Sequence, residues 1–304
     1  LAKVTFAGND TGGAGLEHLE CSLDGASFTV CTSPVQLTPE NLTDRTHVFK
    51  VISEDKSANK DPSPASINWT VDTVPPITAI NTAIDANNSS ITNGSSTESK
   101  SITIGFSGKD TGGVGVEQLE CSLDGASFTV CTSPVHVSPS NLIDGAHTFM
   151  VTAQDKVGNM AKTPALFNWT VDTLPPITTI DTVIDSNKSA VSNDGITNST
   201  SLTFTFSGTD NGVGIHNYEC SLDSSNFTAC TSPVQYDNLT NGIHGFDVVA
   251  EDKVGNKGSI PSSFNWTTDT EPPSTSIFSA TAGDNKIMDP GSNTSSNSVT
   301  FEFS

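Results

Sequence analysis

One segment of this chain occurs three times. Residues 20–35 return almost unchanged as residues 120–135, and a looser copy follows at residues 219–234. The copies begin 100 and then 99 residues apart. A period this long corresponds to one small domain per repeat rather than to one turn of a solenoid. Because nearly every distinctive residue occurs in triplicate at a fixed place, the pattern favours a scaffold over a catalytic site.

The repeat divides the chain into four parts. Residues 1–73 are repeat 1, which lacks its first strand, residues 74–173 are repeat 2, and residues 174–270 are repeat 3. Residues 271–304 supply the first strands of a further repeat, or donor strands for the next subunit. A pair of prolines marks each boundary, and paired prolines end a strand and form a short stiff link. The sequence therefore predicts a semi-rigid row of domains.

Charge and hydropathy exclude several classes of partner. Thirteen Lys and Arg residues stand against 34 Asp and Glu residues, which gives a net charge of −21. Such a surface repels nucleic acid and anionic lipid. No apolar run is long enough for a membrane-spanning helix. We therefore expect no nucleic-acid partner and no membrane span in this chain.

Short alternating runs predict an all-β sandwich in each repeat. Ile102, Ile104 and Phe106 alternate with polar residues, as do Leu202, Phe204 and Phe206. Alternation places such side chains on one face of a strand. No segment shows the 3.6-residue apolar period of a helix. Gly, Pro, Asn and Asp separate the runs at the spacing of a β-sandwich.

The six cysteines form three pairs with the same spacing. Four ligands are usual at a structural metal site, and no second Cys pair or recurring His lies near these pairs. We therefore predict three disulfides within the repeats, each across one hairpin, and an extracellular or cell-surface location. The predicted pairs are Cys21 with Cys31, Cys121 with Cys131, and Cys220 with Cys230.

Asn-X-Ser/Thr sequons are abundant and agree with an exported glycoprotein. In each repeat one sequon surrounds the single Trp of the last strand. If that Trp faces the core, the Asn before it faces solvent. The candidate glycosylation sites are Asn9, Asn41, Asn68, Asn87, Asn88, Asn93, Asn168, Asn187, Asn198, Asn226, Asn238, Asn265 and Asn293.

Aspartates recur at two places that are candidates for calcium binding. One set lies in a glycine-rich loop, and the other stands just before the paired prolines. Oxygen-rich loops at domain junctions can bind Ca²⁺. No complete EF-hand loop is present, however, and ordinary turn chemistry also explains these aspartates. The candidate ligands are Asp10, Asp110, Asp210, Asp72, Asp172 and Asp269. No other cofactor is expected.

No catalytic motif is present. The six His residues do not cluster, and no Gly-x-Ser-x-Gly elbow or phosphate-binding loop occurs. The segment Ala-x-Asp-Lys-x-Gly-Asn, at residues 153–159 and 250–256, predicts a tight turn between the last two strands. We therefore predict no enzymatic activity within these residues.

Together these motifs resemble the prokaryotic Ig-like repeats of large bacterial and archaeal surface proteins and adhesins. The resemblance rests on Glu-Cys-Ser-Leu-Asp-Gly, Asp-Gly-x-His-x-Phe, Ala-x-Asp-Lys-x-Gly-Asn and Asn-Trp-Thr-Val-Asp-Thr-x-Pro-Pro, and it covers the whole chain. It implies tandem domains of the immunoglobulin or fibronectin-III type. It also implies a role as a stalk, adhesin or extracellular fibre component.

Three functions follow from this resemblance. The first is a structural rod or filament on the cell surface. The second is an adhesin stalk that binds carbohydrate or a neighbouring-cell protein, and the third is a non-catalytic spacer of a larger exported enzyme. The rod either continues as the same chain or grows by self-association head to tail, in which residues 271–304 complete repeat 1 of the next copy.

Overall fold

The chain folds into β-structure throughout its described length. The computed structural model describes residues 2–304, and Leu1 lies outside the described residues. Contacts divide the chain into two compact units, Leu1–Leu174 and Pro175–Ser304. The single helical element among residues 2–304 is the short 3-10 turn Pro139–Asn141. The predicted all-β class is confirmed.

Repeat 1 packs a two-stranded sheet against a four-stranded sheet. Strands β1 and β4 form the first sheet, and the second has the order β3-β2-β5-β6. Phe6, which follows β1, lies 5.8 Å from Phe49 of β5 between ring centroids, so the core sits between the sheets. The strands are β1 (Ala2–Val4), β2 (Leu16–Leu23), β3 (Thr29–Cys31), β4 (Val35–Leu37), β5 (Arg45–Asp55) and β6 (Ala65–Val71).

Repeat 2 has larger sheets. Its strands are β7 (Ile77–Asp85), β8 (Ser96–Thr97), β9 (Ile102–Lys109), β10 (Val116–Leu123), β11 (Thr129–Cys131), β12 (Val135–Val137), β13 (Gly145–Asp155) and β14 (Ala165–Val171). One sheet has the order β12-β9-β7 and the other β11-β10-β13-β14-β8. Neighbouring strands are antiparallel except β8, which pairs in parallel with the end of β14.

The second unit repeats this arrangement and adds a hairpin. Its strands are β15 (Ile177–Asp185), β16 (Gly195–Thr197), β17 (Leu202–Thr209), β18 (Ile215–Leu222), β19 (Thr228–Cys230), β20 (Val234–Tyr236), β21 (Gly242–Asp252), β22 (Ser262–Thr268), β23 (Ile277–Ala282) and β24 (Val299–Phe303). The sheets of repeat 3 have the orders β15-β17-β20 and β16-β22-β21-β18-β19. Strands β23 and β24 pair only with each other among the described strands.

The predicted alternation determines which side chains are buried. The three alternating apolar residues of β9 and the three of β17 are all buried between the sheets of their repeats. Trp169 and Trp266 are each 1% exposed on the facing sheet. The corresponding strand of repeat 1 differs, because Trp69 is half-buried and Ile67 is 53% exposed. Strand β6 has no described neighbour in the position that β8 and β16 occupy in repeats 2 and 3.

The C-terminal hairpin leaves its apolar face open. Phe301 and Phe303 of β24 are exposed, whereas Phe204 and Phe206 at the matching positions of β17 are buried. In repeat 3 these positions are covered by the five-stranded sheet. Residues 271–304 therefore have the apolar pattern of a sandwich sheet without a facing sheet among the described residues.

Candidate functional site

A buried aspartate connects repeat 1 to repeat 2 inside the first unit. Asp72 lies just after β6, and its Oδ1 accepts the N–H of Val74 over 3.1 Å. Its Oδ2 accepts the N–H of Val114, in the glycine-rich loop of repeat 2, over 2.9 Å. Its carbonyl oxygen accepts Nδ2 of Asn159 over 3.1 Å. Asp72, which lies just before the Pro75-Pro76 linker, is thus hydrogen-bonded to two loops of the next repeat.

Two further carboxylates meet Asp72 at this junction. One belongs to Asp110 of the glycine-rich loop, and the other to Asp155 at the end of β13. Ligand oxygens of the three side chains all lie within 4.8 Å of one another. A Cβ added at Gly113 would collide with Oδ2 of Asp72 and of Asp110. Only glycine leaves room for both carboxylates at this position.

The carboxylates of this cluster differ in how many of their oxygens accept hydrogen bonds. Asp155 Oδ1 accepts the N–H groups of Val157 and Asn159, both over 2.9 Å, and its Oδ2 accepts Asn159 Nδ2 over 2.7 Å. Asp110 Oδ2 accepts the N–H of Gly115 over 2.7 Å. Asp110 Oδ1 is buried and has no hydrogen-bond partner. An anionic oxygen in that position is stable only if a cation or water reaches it.

The carboxylate of Asp155 is held in its ionised form. Burial raises the pKa of Asp155, but hydrogen bonds from the Asn159 side chain and from backbone N–H groups outweigh it and lower the pKa below its ordinary value. A neutral pH therefore leaves a negative charge at a buried position between two other carboxylates. Hard oxygen ligands at this spacing suit a hard divalent cation.

The second unit repeats two of these three positions. Asp210 and Asp252 have ligand oxygens within 4.8 Å of each other. Asp210 Oδ2 accepts the N–H of Gly214 over 2.6 Å, and its Oδ1 is again buried without a hydrogen-bond partner. Asp252 is buried and accepts the N–H of Val254 over 2.9 Å. A buried carboxylate oxygen without a hydrogen-bond partner therefore occurs in the glycine-rich loops of both repeat 2 and repeat 3.

The remaining predicted calcium ligands have local partners. Asp10 accepts the N–H of Gly15 over 2.9 Å, and Asp269 accepts the N–H of Glu271 over 3.0 Å. Among residues 2–304, neither belongs to a group of three potential ligand side chains. Asp172 is buried and accepts the N–H of Leu174 over 3.2 Å.

Sequence reasoning assigned Asp155 and Asp252 only to turns. They do form those turns, and they also face the glycine-rich loops. Their recurrence in Asp-Lys-x-Gly-Asn was the available signal.

Each pair of cysteines bridges one hairpin. The Cα atoms of Cys121 and Cys131 lie 5.8 Å apart, and no free cysteine occurs among the described residues. The turn begins with Asp124 at φ 50° and Gly125 at φ 76°. Two successive positive φ values match the twist of a tight antiparallel hairpin. The other bridges, Cys21–Cys31 and Cys220–Cys230, have the same Cα separation.

A histidine beneath each hairpin turn was missed by sequence reasoning. In repeat 3, His244 Nδ1 lies 2.9 Å from Asp223 Oδ2, and its Nε2 lies 2.8 Å from the carbonyl oxygen of Thr240. The ring stacks on Trp266 with a centroid separation of 5.2 Å. Asp223 Oδ1 also accepts the N–H of Gly245 over 3.0 Å. The equivalent sets are His47, Asp24, Thr43 and Trp69, and His147, Asp124, Ile143 and Trp169.

These His–Asp pairs are unsuited to general base catalysis. A catalytic histidine needs one ring nitrogen directed at the reacting group. Here the second nitrogen is already bonded to a backbone carbonyl, and all three rings are buried. The pairs therefore belong to the architecture of the repeat. The signal in the sequence was the recurrence of His within Asp-Gly-x-His-x-Phe and its relatives.

The sequons lie mainly on the surface. Of the three that surround a Trp, Asn68 and Asn265 are exposed, whereas Asn168 is half-buried. Asn168 Oδ1 accepts the hydroxyl of Thr148 over 2.8 Å. The Asn residues of the other ten sequons are exposed.

Comparisons with known proteins give structural likenesses only. No family model matches the chain, and no curated protein matches its sequence. A structure of the fibronectin(III)-like modules of Clostridium thermocellum CbhA is 16% identical over 63% of this chain and 94% of that one, with a TM-score of 0.29. A Ca²⁺-stabilised adhesin by which an Antarctic bacterium binds ice is 18% identical over 93% of this chain and 72% of that one, with a TM-score of 0.36.

A further likeness is to a 1.5-MDa bacterial ice-binding adhesin, in a structure concerned with its retention at the cell surface. It is 17% identical over 83% of this chain and 86% of that one, with a TM-score of 0.39. Because every one of these TM-scores is below 0.5, the likenesses assign no function to this chain. Separately, no helix among the described residues is long and apolar enough to cross a membrane.

Proposed function

We propose that this protein is a structural component of the cell surface, in which tandem Ig-like sandwiches form a rod or filament. The proposal rests on the hydrogen bonds that cross the junction of repeats 1 and 2. There Asp72 bonds Val114 and Asn159 of the next repeat. Such contacts restrict bending at a linker that the paired prolines already stiffen. The three disulfides fit an extracellular location, because cytosolic thiols are kept reduced.

The stiffness of this junction can be measured directly. Spin labels on non-natural residues, one on an exposed site of repeat 1 and one on repeat 2, report the distribution of distances across the junction. We expect a narrow distribution in the full chain and a wider one in Asp72→Ala. Asp269→Ala is the matched control, because Asp269 has the same place in repeat 3 but is exposed. A distribution that is already broad in the unchanged chain would refute the rod.

We further propose that calcium binds at the junction of repeats 1 and 2. Asp72, Asp110 and Asp155 would hold the ion, and Asp110 Oδ1 is the oxygen that no protein group satisfies. A bound cation would neutralise the mutual repulsion of the carboxylates and fasten the two repeats together.

Calcium is expected to stabilise the first unit. A ligand that binds only the folded state at 100 times its Kd adds about 2.7 kcal/mol to the free energy of unfolding. In Asp110→Asn we expect this increment to disappear. With calcium removed by a chelator, the same variant should be at least as stable as the unchanged chain, because one repulsive charge is gone.

Asp110→Asn should thus lower the free energy of unfolding in calcium but not in chelator, and this difference distinguishes a metal site from a purely structural one. Unfolding would be followed by calorimetry with calcium, with magnesium and with chelator. Asp61→Asn is the control, since the Asp61 carboxylate accepts hydrogen bonds from Ser63 within its own turn in repeat 1. Equal stability of the unchanged chain in calcium and in chelator would contradict the proposal, as would a loss of stability in Asp110→Asn under both conditions.

We also propose that exposed sequons carry glycans. Asn68 and Asn265 are exposed, whereas the side chain of Asn168 is half-buried and bonded to Thr148. We therefore expect higher occupancy at the first two sites than at the third. Peptide mapping of native material by mass spectrometry measures all three in one sample. An unmodified mass of 31.7 kDa for residues 1–304 would contradict glycosylation altogether.

A further inference from the structure

The histidine in each repeat faces a hydrogen-bond acceptor at both ring nitrogens. A neutral imidazole has one N–H group and therefore satisfies one acceptor. His244 stands between the Asp223 carboxylate and the Thr240 carbonyl oxygen, at 2.9 and 2.8 Å. Both bonds form only if both ring nitrogens carry protons. The geometry thus selects the imidazolium form, next to an ionised carboxylate.

We propose that each His–Asp pair is a pH-sensitive latch that fastens the disulfide hairpin to the rest of its sandwich. The aspartate is the first residue of the hairpin turn, and the histidine lies on the long central strand. In repeat 3, Asp223 is bonded both to the His244 ring and to the N–H of Gly245. The latch is closed while the histidine is doubly protonated and the aspartate ionised, and it opens when either group changes charge.

The charged groups around the three histidines differ. In repeat 3, the charged side chain bonded to the His244 ring is Asp223, and the adjacent loop carries neutral Asn241. In repeat 2, Asp124 bonds His147, while Asp144 next to Ile143 lies 3.7 Å from Lys100.

Repeat 1 differs through a second cation. Arg45 lies 2.6 Å from the same oxygen of Asp24 that His47 contacts. Glycines 145 and 242 occupy this position in the other repeats. Arg45 stays charged at all relevant pH values, so Asp24 has a permanently cationic partner in addition to the His47 ring. Repeat 1 should therefore resist alkaline opening better than repeat 3.

Two pKa directions agree with this arrangement. Burial lowers the pKa of His244, but the Thr240 carbonyl and the Asp223 carboxylate outweigh it and raise the pKa above its ordinary value. Burial raises the pKa of Asp24, but the Val48 N–H, His47 and Arg45 outweigh it and lower the pKa.

The raised pKa of His244 means that its contribution is complete below the ordinary histidine pKa and is lost as the pH rises through the folded value. The lowered pKa of Asp24 means that its contribution is present above the ordinary aspartate pKa and is lost as the pH falls through the folded value. The latch of repeat 3 is therefore expected to open as the pH rises, and the contribution of Asp24 to the latch of repeat 1 is expected to be lost as the pH falls.

The single Trp in each repeat makes the latch observable in the full chain. Each Trp stacks on its histidine, with centroids 5.2 to 5.7 Å apart. Fluorotryptophan labelling gives one fluorine NMR signal per repeat, assigned with single Trp→Phe variants. We expect the Trp266 signal to shift as the pH rises through the His244 transition. Hydrogen exchange in the β18–β19 hairpin, corrected for intrinsic rates, should accelerate over the same range.

Three variants test the assignment. Asp223→Asn should move the Trp266 transition down by about 1 pH unit or more, because the carboxylate charge is lost. His216→Gln, at an exposed site in the same repeat, should leave it unchanged. Arg45→Gly should make the alkaline opening of repeat 1 resemble that of repeat 3.

A direct measurement keeps the proposal falsifiable if a variant fails to fold. Nitrogen-15 shifts of His244 in the unchanged chain at pH 6 should show protons on both ring nitrogens. A single neutral tautomer at pH 6 would overturn the proposal. So would hairpin exchange that, after correction, does not change between pH 5 and pH 10.

Discussion

Replacement of Phe204 by alanine is expected to lower the free energy of unfolding of repeat 3 by about 3–5 kcal/mol, as in other protein cores. Phe204 is fully buried on β17. Its ring centroid lies 4.2 Å from that of Phe246 and 5.4 Å from that of Trp266, both on the facing sheet. Truncation leaves a cavity between the sheets that close-packed neighbours cannot collapse to fill.

Native-state hydrogen exchange in rising denaturant measures this loss for one repeat at a time. Peptides from β18 and β21 report the opening of repeat 3, and peptides from repeat 2 serve as an internal reference. Ile243→Ala is the matched control, because Ile243 lies on β21 but is 84% exposed, and its change should stay within about 0.5 kcal/mol. Equal losses in the two variants would show that the buried aromatic residues do not hold the sandwich together.

The buried face of β17 was predictable because its period is local. Alternation along Leu202, Phe204 and Phe206 needs only the geometry of one strand to assign an inward face. The hairpin turn was predictable for the same reason, since Asp124-Gly125 specifies its own backbone conformation.

Features that depend on pairing between distant segments were not predictable. Strand β8 has two residues in a polar stretch, and only its main-chain pairing with β14 defines it. Ile67 alternates with Trp69 along β6 and would face inward by that pattern, but it is 53% exposed, because alternation does not reveal whether a facing sheet covers the position. In both cases the missing information lies in another part of the chain.

The candidate site was predicted only in part. Asp72 and Asp110 were identified as oxygen ligands, and the structure places them together. Asp155 was assigned to a turn, which it forms, and its second role depends on the approach of a loop 45 residues earlier in the chain. His244 and Asp223 stand 21 residues apart, and no local pattern links them. The recurrence of these residues in all three repeats indicates that they matter, but it does not show which of them contact one another.

Removal of the disulfide Cys121–Cys131 by replacing both residues with alanine is expected to destabilise repeat 2 by about 2–3 kcal/mol. In the chain-entropy model, the bridge stabilises the fold by restricting the unfolded chain, and a ten-residue loop gives a contribution of this size. Alanine is the suitable replacement because Cys121 is buried, and serine would place an unpaired hydroxyl in the core.

The effect should stay within one repeat. Peptide mapping under non-reducing conditions first establishes the three bridges, and hydrogen exchange then compares the repeats in one molecule. The corresponding change at Cys220 and Cys230 should move the loss to repeat 3, which makes each variant the control for the other. A bridge between two repeats, or a free thiol at Cys121, would contradict the pairing. An equal loss in all three repeats would show instead that they unfold as one cooperative body, since each bridge constrains only the ten-residue loop that it closes.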